Sequence, residues 1–187
     1  MSNILETLFS DENKGVMDEV QKNFNLTEQE TRVAVEELIP ALSRGLQKNT
    51  TDAPGIDDLL EALRTGSHEK YMEKPGTLGS PETTKDGNDI LGHIFGDKKV
   101  SREVANRVSK KSGLSSTLLK KMLPVVASLV MGALSKKVLG GGARTSGRSL
   151  PRSRSESGGL LTALLDSDRD GSIWDDVLGL AARTMLR

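Results

Sequence analysis

Apolar residues recur along this chain at the three- and four-residue spacing of amphipathic helices. The N-terminal third predicts four such helices, at residues 4–8, 16–24, 27–48 and 56–63. Thr27 and Glu30 occupy the two reciprocal positions of a capping box, which marks the start of the third helix. Pro40 has no N–H to donate, and we therefore expect it to kink or split that helix.

The middle of the chain predicts a long loop followed by three more helices. Residues 65–88 lose the apolar periodicity and collect glycine and proline, which predicts an internal loop. Asn88 is expected to cap a short helix that Gly96 ends, and Ser101 to open the next one. The last of the three is a long helix over about 115–139, capped by Ser115.

The long helix contains an uncharged stretch, residues 122–134, that is apolar on every face. A helix of this kind is normally buried on all sides. Its length is only about 20 Å by helical rise, which is short of a bilayer core. The pattern therefore predicts the central core helix of an all-α domain, without a membrane span.

Composition divides the chain into three parts. Residues 1–139 carry the predicted helical domain, and residues 140–159 are rich in glycine, serine and arginine. That second stretch offers little to bury, so we expect a flexible, disordered basic linker. Residues 160–187 are apolar again and predict an acidic-loop helical segment resembling a helix–loop–helix of the EF-hand type.

The C-terminal part contains the clearest candidate site, a calcium-binding loop. Carboxylates at loop positions 1, 3 and 5, then Gly171 at position 6, match the way an EF-hand loop wraps calcium. The predicted ligands are Asp166, Asp168, Asp170, Ser172, Asp175 and Asp176. Position 12 is Val177 rather than a carboxylate, so Asp175 or Asp176 would have to close a shortened loop. The alternative is a solvated acidic turn in which Ser172 caps the following helix.

Charge is segregated although the total is zero. Residues 1–97 carry a net charge of −10 and residues 98–154 a net charge of +13. The two regions either attract each other, within the fold or between chains, or form separate solvated faces. The basic region also predicts an alternative function, nucleic-acid binding. Residues 98–154 contain no aromatic side chain for base stacking, which weighs against that alternative.

Catalytic signatures are absent from the sequence. The chain has no cysteine, which excludes a thiolate nucleophile, a thiolate metal site and disulfides. Asp89, His93 and Asp97 are spaced by four residues, but no nucleophile accompanies them, and a half-exposed histidine near a helix end is the preferred interpretation. The N-terminus has no signal-peptide pattern, so a cytoplasmic location is the default expectation.

Several segments resemble one bacterial family. These are residues 38–42, 87–96, 101–105 and 119–134. They are similar to the YidB-like family, a domain of unknown function, over about residues 1–139. The resemblance implies an all-helical fold and no established activity, so it supplies no catalytic residues. Together with the buried helix, it leads us to expect a non-enzymatic protein-interaction or scaffold module that binds a protein partner or forms a homo-oligomer.

Overall fold

The computed structural model describes residues 4–50 and 53–138, and within these ranges the chain is all-helical, as expected. The described ranges contain eight α-helices in this order: α1 Ile4–Leu8, α2 Lys14–Phe24, α3 Glu28–Asn49, α4 Ala53–Thr65, α5 Lys70–Glu73, α6 Pro81–Phe95, α7 Lys98–Ser112 and α8 Ser116–Val138. Single 3₁₀ turns lie at Asp11–Asn13 and Pro75–Thr77. No strand occurs in the described ranges.

Helix α8 is the centre of the fold. Its residues from Met122 to Ser135 are all buried, which confirms the prediction of an apolar helix covered on every side. Helices α6 and α7 cover most of it, and α3, α5, α1 and α4 cover the rest. By length and composition α8 would also fit a membrane span, but 78% of its most apolar window is buried within the protein itself.

The start of α3 confirms the predicted capping box. The backbone N–H of Glu30 donates to Thr27 Oγ1 at 3.2 Å, and the N–H of Thr27 donates to the Glu30 carboxylate at 2.9 Å. The prediction that Pro40 could split this helix is wrong, because α3 continues to Asn49. Proline removes one hydrogen bond, and the buried neighbours Leu38 and Leu42 hold the adjacent turns in place.

The prediction of a long loop at residues 65–88 is also wrong. The segment contains α5, a 3₁₀ turn and the first half of α6. Tyr71, Met72 and Leu78 are buried and anchor it to the core. Helix α6 begins at Pro81, where Ser80 Oγ accepts the N–H of Thr83 at 3.2 Å.

Helices α6 and α7 therefore begin at other residues than the predicted caps indicated. Asn88, expected to cap a helix, lies inside α6 and donates to the Thr84 carbonyl at 2.9 Å. Helix α7 begins at Lys98 rather than Ser101, with Asp97 as its N-cap. Gly96 does end α6 as predicted, and its φ of 70° explains why glycine stands there.

Helix α6 lies very close to α8. A Cβ added to Gly87 would lie 2.1 Å from the Pro124 carbonyl oxygen, so the two backbones are nearly in contact. Ser128 of α8, also buried, donates to the Pro124 carbonyl at 3.2 Å within its own helix. Only a residue without a side chain permits this separation, and Gly87 therefore fixes the position of α6 on the core.

Candidate functional site

A groove opens between α4 and the C-terminal ends of α3 and α6. Its volume is about 430 Å³, near the lower end of the usual range for binding pockets. The floor is aliphatic and includes Leu46, Ile94 and Met131, which come from three different helices. Leu59 and Ala62 of α4 form one wall and are only partly buried.

The groove exists because α4 is attached to the core along one edge. Leu60 and Leu63 are buried, and the Leu63 carbonyl accepts a hydrogen bond from Ser135 Oγ of α8 at 3.1 Å. Leu59 and Ala62 lie on the adjacent edge of the helix, which α8 does not cover completely. Packing along a single edge thus leaves an apolar strip of α4 open to solvent.

The rim of the groove is polar. Asn49, after which α3 ends, donates from Nδ2 to the His93 carbonyl at 2.8 Å and to the Ile94 carbonyl at 3.0 Å. These carbonyls belong to the last turn of α6, which has no helical partner for them. Asn49 therefore joins the ends of α3 and α6, and the exposed His93 and Asp58 also line the groove.

A second polar arrangement ties α5 to α6. The Tyr71 hydroxyl donates a short hydrogen bond to Asp86, and Lys70 Nζ lies 3.2 Å from the same carboxylate oxygen. The Lys70 ammonium also lies 4.9 Å from the centre of the Tyr71 ring. The hydrogen bond from Tyr71, together with Lys70, holds the pKa of Asp86 below its usual value.

His68 packs beside this arrangement. Its side chain is 8% exposed, and its ring centre lies 6.2 Å from that of Tyr71. Among the described residues its Nδ1 atom is buried without a hydrogen-bond partner. Burial lowers the pKa of His68 and raises the pKa of Tyr71. Burial thus favours the neutral form of this histidine, which lies in the connection between α4 and α5.

The residues that sequence spacing singled out on α6 do not form one site. Asp89 and His93 are exposed on the helix, whereas Asp97 lies beyond its end. The Asp97 carboxylate accepts the backbone N–H of Lys99 at 2.8 Å and so caps α7. Within residues 4–50 and 53–138 no group of three or more histidine and carboxylate side chains is arranged to hold a metal.

The predicted calcium loop lies outside the described residues. This applies to Asp166, Asp168, Asp170, Ser172, Asp175 and Asp176, and to the predicted linker at 140–159. The groove, in contrast, was not predicted. Leu46, Leu59 and Ile94 each fit a helical apolar pattern, and no signal in the sequence distinguishes a residue that lines a groove from one in the core.

Some charges of the acidic and basic regions form ion pairs within the fold. Lys111 Nζ of α7 lies 3.1 Å from the Glu37 carboxylate of α3, and Lys136 Nζ of α8 lies 3.9 Å from that of Glu12. Both pairs join the acidic first part of the chain to its basic centre. They are partly exposed, so each contributes at most about 1 kcal/mol.

Comparison with known proteins identifies a family. A family model described as "Bacterial protein of unknown function (DUF937)" matches residues 6–137, which is most of the chain and nearly all of the described helices. No curated protein and no solved structure matches the chain. The match agrees with the YidB-like resemblance of the same helices, and the chain belongs to this bacterial family of unknown function.

Proposed function

We propose that this chain is a non-enzymatic protein-interaction module that self-associates, with the groove beside α4 as its docking surface. The observation that carries the proposal is the open aliphatic lining formed by Leu46, Leu59, Ala62, Ile94 and Met131. An apolar centre within a polar rim is the usual composition of a protein interface. A groove between helices also suits an amphipathic helix that inserts side chains at three- and four-residue spacing.

The burial of α8 restricts where association can occur. Residues 122–135 are covered by helices of the same chain, so they have no free surface to offer a second copy. Leu59 and Ala62 retain partly exposed apolar surface on α4. Covering that strip in a second copy would remove apolar area from water, which is the main driving force of association.

Calcium is proposed as a second component, at the loop formed by residues 166–176. Three alternating carboxylates repel one another unless a cation neutralises them, and calcium prefers oxygen ligands of this kind. Trp174, the only tryptophan, lies within the loop sequence. Calcium at millimolar concentration is expected to change Trp174 emission and to release or absorb heat in calorimetry, and no response in either measurement would contradict calcium binding.

Self-association is tested by light scattering on the full chain over a wide concentration range. The mass is expected to rise with concentration, and Leu59→Arg is expected to abolish the rise by placing a charge on the groove wall. The control is Gln29→Arg, which places the same side chain on an exposed position near the opposite end of α3. A mass that stays monomeric at every concentration, or equal association of both variants, would contradict the proposal.

A further inference from the structure

We infer that the segment that docks in the groove is the C-terminal part of this same chain, residues 160–187. Because the groove is itself a proposed docking surface, this inference names the occupant of that site. It is carried by where the described chain ends, by the length of chain that follows, and by the apolar spacing in the sequence of residues 160–187.

The end of α8 lies next to the groove. Met131 forms part of the floor, and Val138 follows it by seven residues, or about 10 Å of helical rise. The hydrogen bond from Ser135 Oγ to the Leu63 carbonyl, at 3.1 Å, places the last turns of α8 against α4, which forms the groove wall. The chain therefore leaves the core beside the surface that has an apolar strip exposed.

The following residues are long enough to return to the groove. Residues 139–159 provide 21 positions, which span roughly 70 Å when fully extended. A chain of this glycine- and serine-rich composition has a root-mean-square reach of roughly 25 Å. A tether of that length keeps residues 160–187 at an effective concentration near the millimolar range, well above ordinary concentrations of a second protein.

Residues 160–187 also have the apolar pattern that the groove requires. Trp174, Leu178, Ala181 and Met185 recur at helical spacing, which is the pattern of side chains that enter a groove between helices. The other stretches outside the described ranges, residues 1–3, 51–52 and 139–159, contain no comparable stripe. By composition, residues 160–187 are the part of the remaining chain able to cover an aliphatic surface.

One charge at the rim is complementary to the last residues of this segment. Asp58, which lines the groove, is exposed on α4. Arg183 and Arg187 lie at the end of the apolar stripe and supply the opposite charge. In the proposed docking, attraction to Asp58 would favour one direction of the segment, whereas the apolar contacts would provide the affinity. If two copies exchange this segment, the same contact joins them, which is the route we propose for self-association through the groove.

The only tryptophan of the chain makes the test direct. Trp174 lies in the apolar stripe, so its emission and its quenching by acrylamide report whether residues 160–187 are covered. The full chain is measured at low concentration and with a chelator, so that neither association nor calcium contributes to the signal. In the unmodified chain, short-wavelength emission and weak quenching are expected.

Two groove variants separate docking here from docking elsewhere. Leu59→Arg and Ala62→Lys each place a charged side chain on the groove wall, and lysine at the partly exposed position 62 can keep its amine in water. Both are expected to shift the emission to longer wavelength and to raise the quenching constant to that of a solvated side chain. Gln29→Arg is expected to leave both unchanged, and helical content by circular dichroism verifies that each variant is folded.

Two results would overturn the inference: a Trp174 side chain that is already fully quenched in the unmodified chain, or equal protection in all four proteins. Light scattering on the same samples distinguishes the two proposals. If association depends on the groove but Trp174 is exposed, the C-terminal occupant is rejected and the docking surface is retained. If protection of Trp174 depends on the groove but the chain stays monomeric, the occupant is supported and self-association is rejected.

Discussion

Helices α6 and α4 have similar lengths, yet α6 packs closely against α8 whereas α4 is attached to it along one edge. The α6 backbone approaches α8 so closely that a Cβ on Gly87 would lie 2.1 Å from the Pro124 carbonyl oxygen. The contacts that hold helix α4 include Leu60, Leu63 and the hydrogen bond from Ser135, and an apolar strip beside these contacts stays open. Close approach of backbones leaves no surface for a partner, whereas attachment along one edge creates a groove.

The largest expected effect on the free energy of unfolding comes from truncating a buried apolar side chain of α8. We compare it with truncation of a partly buried side chain on α4. Leu129 of α8 is fully buried, so Leu129→Ala is expected to lower the free energy of unfolding by about 2–5 kcal/mol through lost burial and a cavity. Leu59→Ala, on the open wall, is expected to cost about 1 kcal/mol or less. Urea denaturation followed by circular dichroism compares the two, and equal losses would show that α4 is as tightly packed as the core.

The close contact of α6 is tested at Gly87. Gly87→Ala is expected to destabilise the fold by about 1–3 kcal/mol, because the new Cβ meets the backbone of α8 rather than a movable side chain. This range already allows for helix propensity, which favours alanine over glycine by about 1 kcal/mol.

Gly92 provides the matched control on the same helix. It is exposed, and a Cβ added there has no neighbouring atom within 4 Å. Gly92→Ala is therefore expected to stabilise α6 by up to about 1 kcal/mol. Denaturation midpoints that move in the same direction for both variants would contradict the close backbone contact.

The attachment of α4 is tested at Ser135. Ser135→Ala removes the hydroxyl that donates to the Leu63 carbonyl and leaves a buried acceptor unpaired, which is expected to cost about 1 kcal/mol. Ser101→Ala, on the half-exposed side of α7, is the control for the helix propensity of alanine. Hydrogen exchange is expected to accelerate in α4 more than in α6, and uniform acceleration would show that this bond does not hold α4 specifically.

The smallest effect is a pH dependence at His68, which joins the α4 side of the molecule to α5. Burial lowers the pKa of His68, Lys70 acts in the same direction, and Asp86 and the Ala62 carbonyl oppose them. In the unfolded chain the pKa of histidine is about 6.5. As pH falls below that value the unfolded chain binds the proton first, so the free energy of unfolding declines until pH passes the lower native pKa.

The measurement is the change in urea midpoint between neutral and mildly acidic pH. His68→Gln is expected to reduce this change, while His93→Gln, at the exposed histidine, is expected to retain it. The pKa of Asp86 is also lowered, but its contribution is lost only as pH falls through the ordinary range of carboxylates, at more acidic values. An unchanged slope in His68→Gln would assign the pH dependence to other groups.

Sequence patterns predicted the elements in which local and tertiary preferences agree. The Thr27–Glu30 capping box and the uncharged stretch of α8 are visible without coordinates, because each follows from a short-range rule. Residues 65–88 were predicted wrongly because glycine and proline usually mark loops. In this fold Pro81 occupies the first turn of α6, and Gly87 serves a close backbone approach that depends on Pro124, 37 positions later.

The groove could not be predicted for a related reason. Leu46, Ile94 and Met131 are apolar positions of three different helices, and their meeting depends on how far α4 stands from α8. That separation is set by tertiary contacts such as the one between Ser135 and Leu63. Helical periodicity identifies which face of each helix turns inward, but not how completely a neighbouring helix covers it.

The ultraviolet absorbance of Tyr71 can report whether the fold around it is intact. It is the single tyrosine of the chain, it is fully buried, and its hydroxyl donates to Asp86. Burial raises its pKa, so the phenolate is strongly disfavoured while the fold is closed. Ultraviolet absorbance recorded during titration with alkali would therefore follow the opening of α5 from the core, instead of a simple surface ionisation.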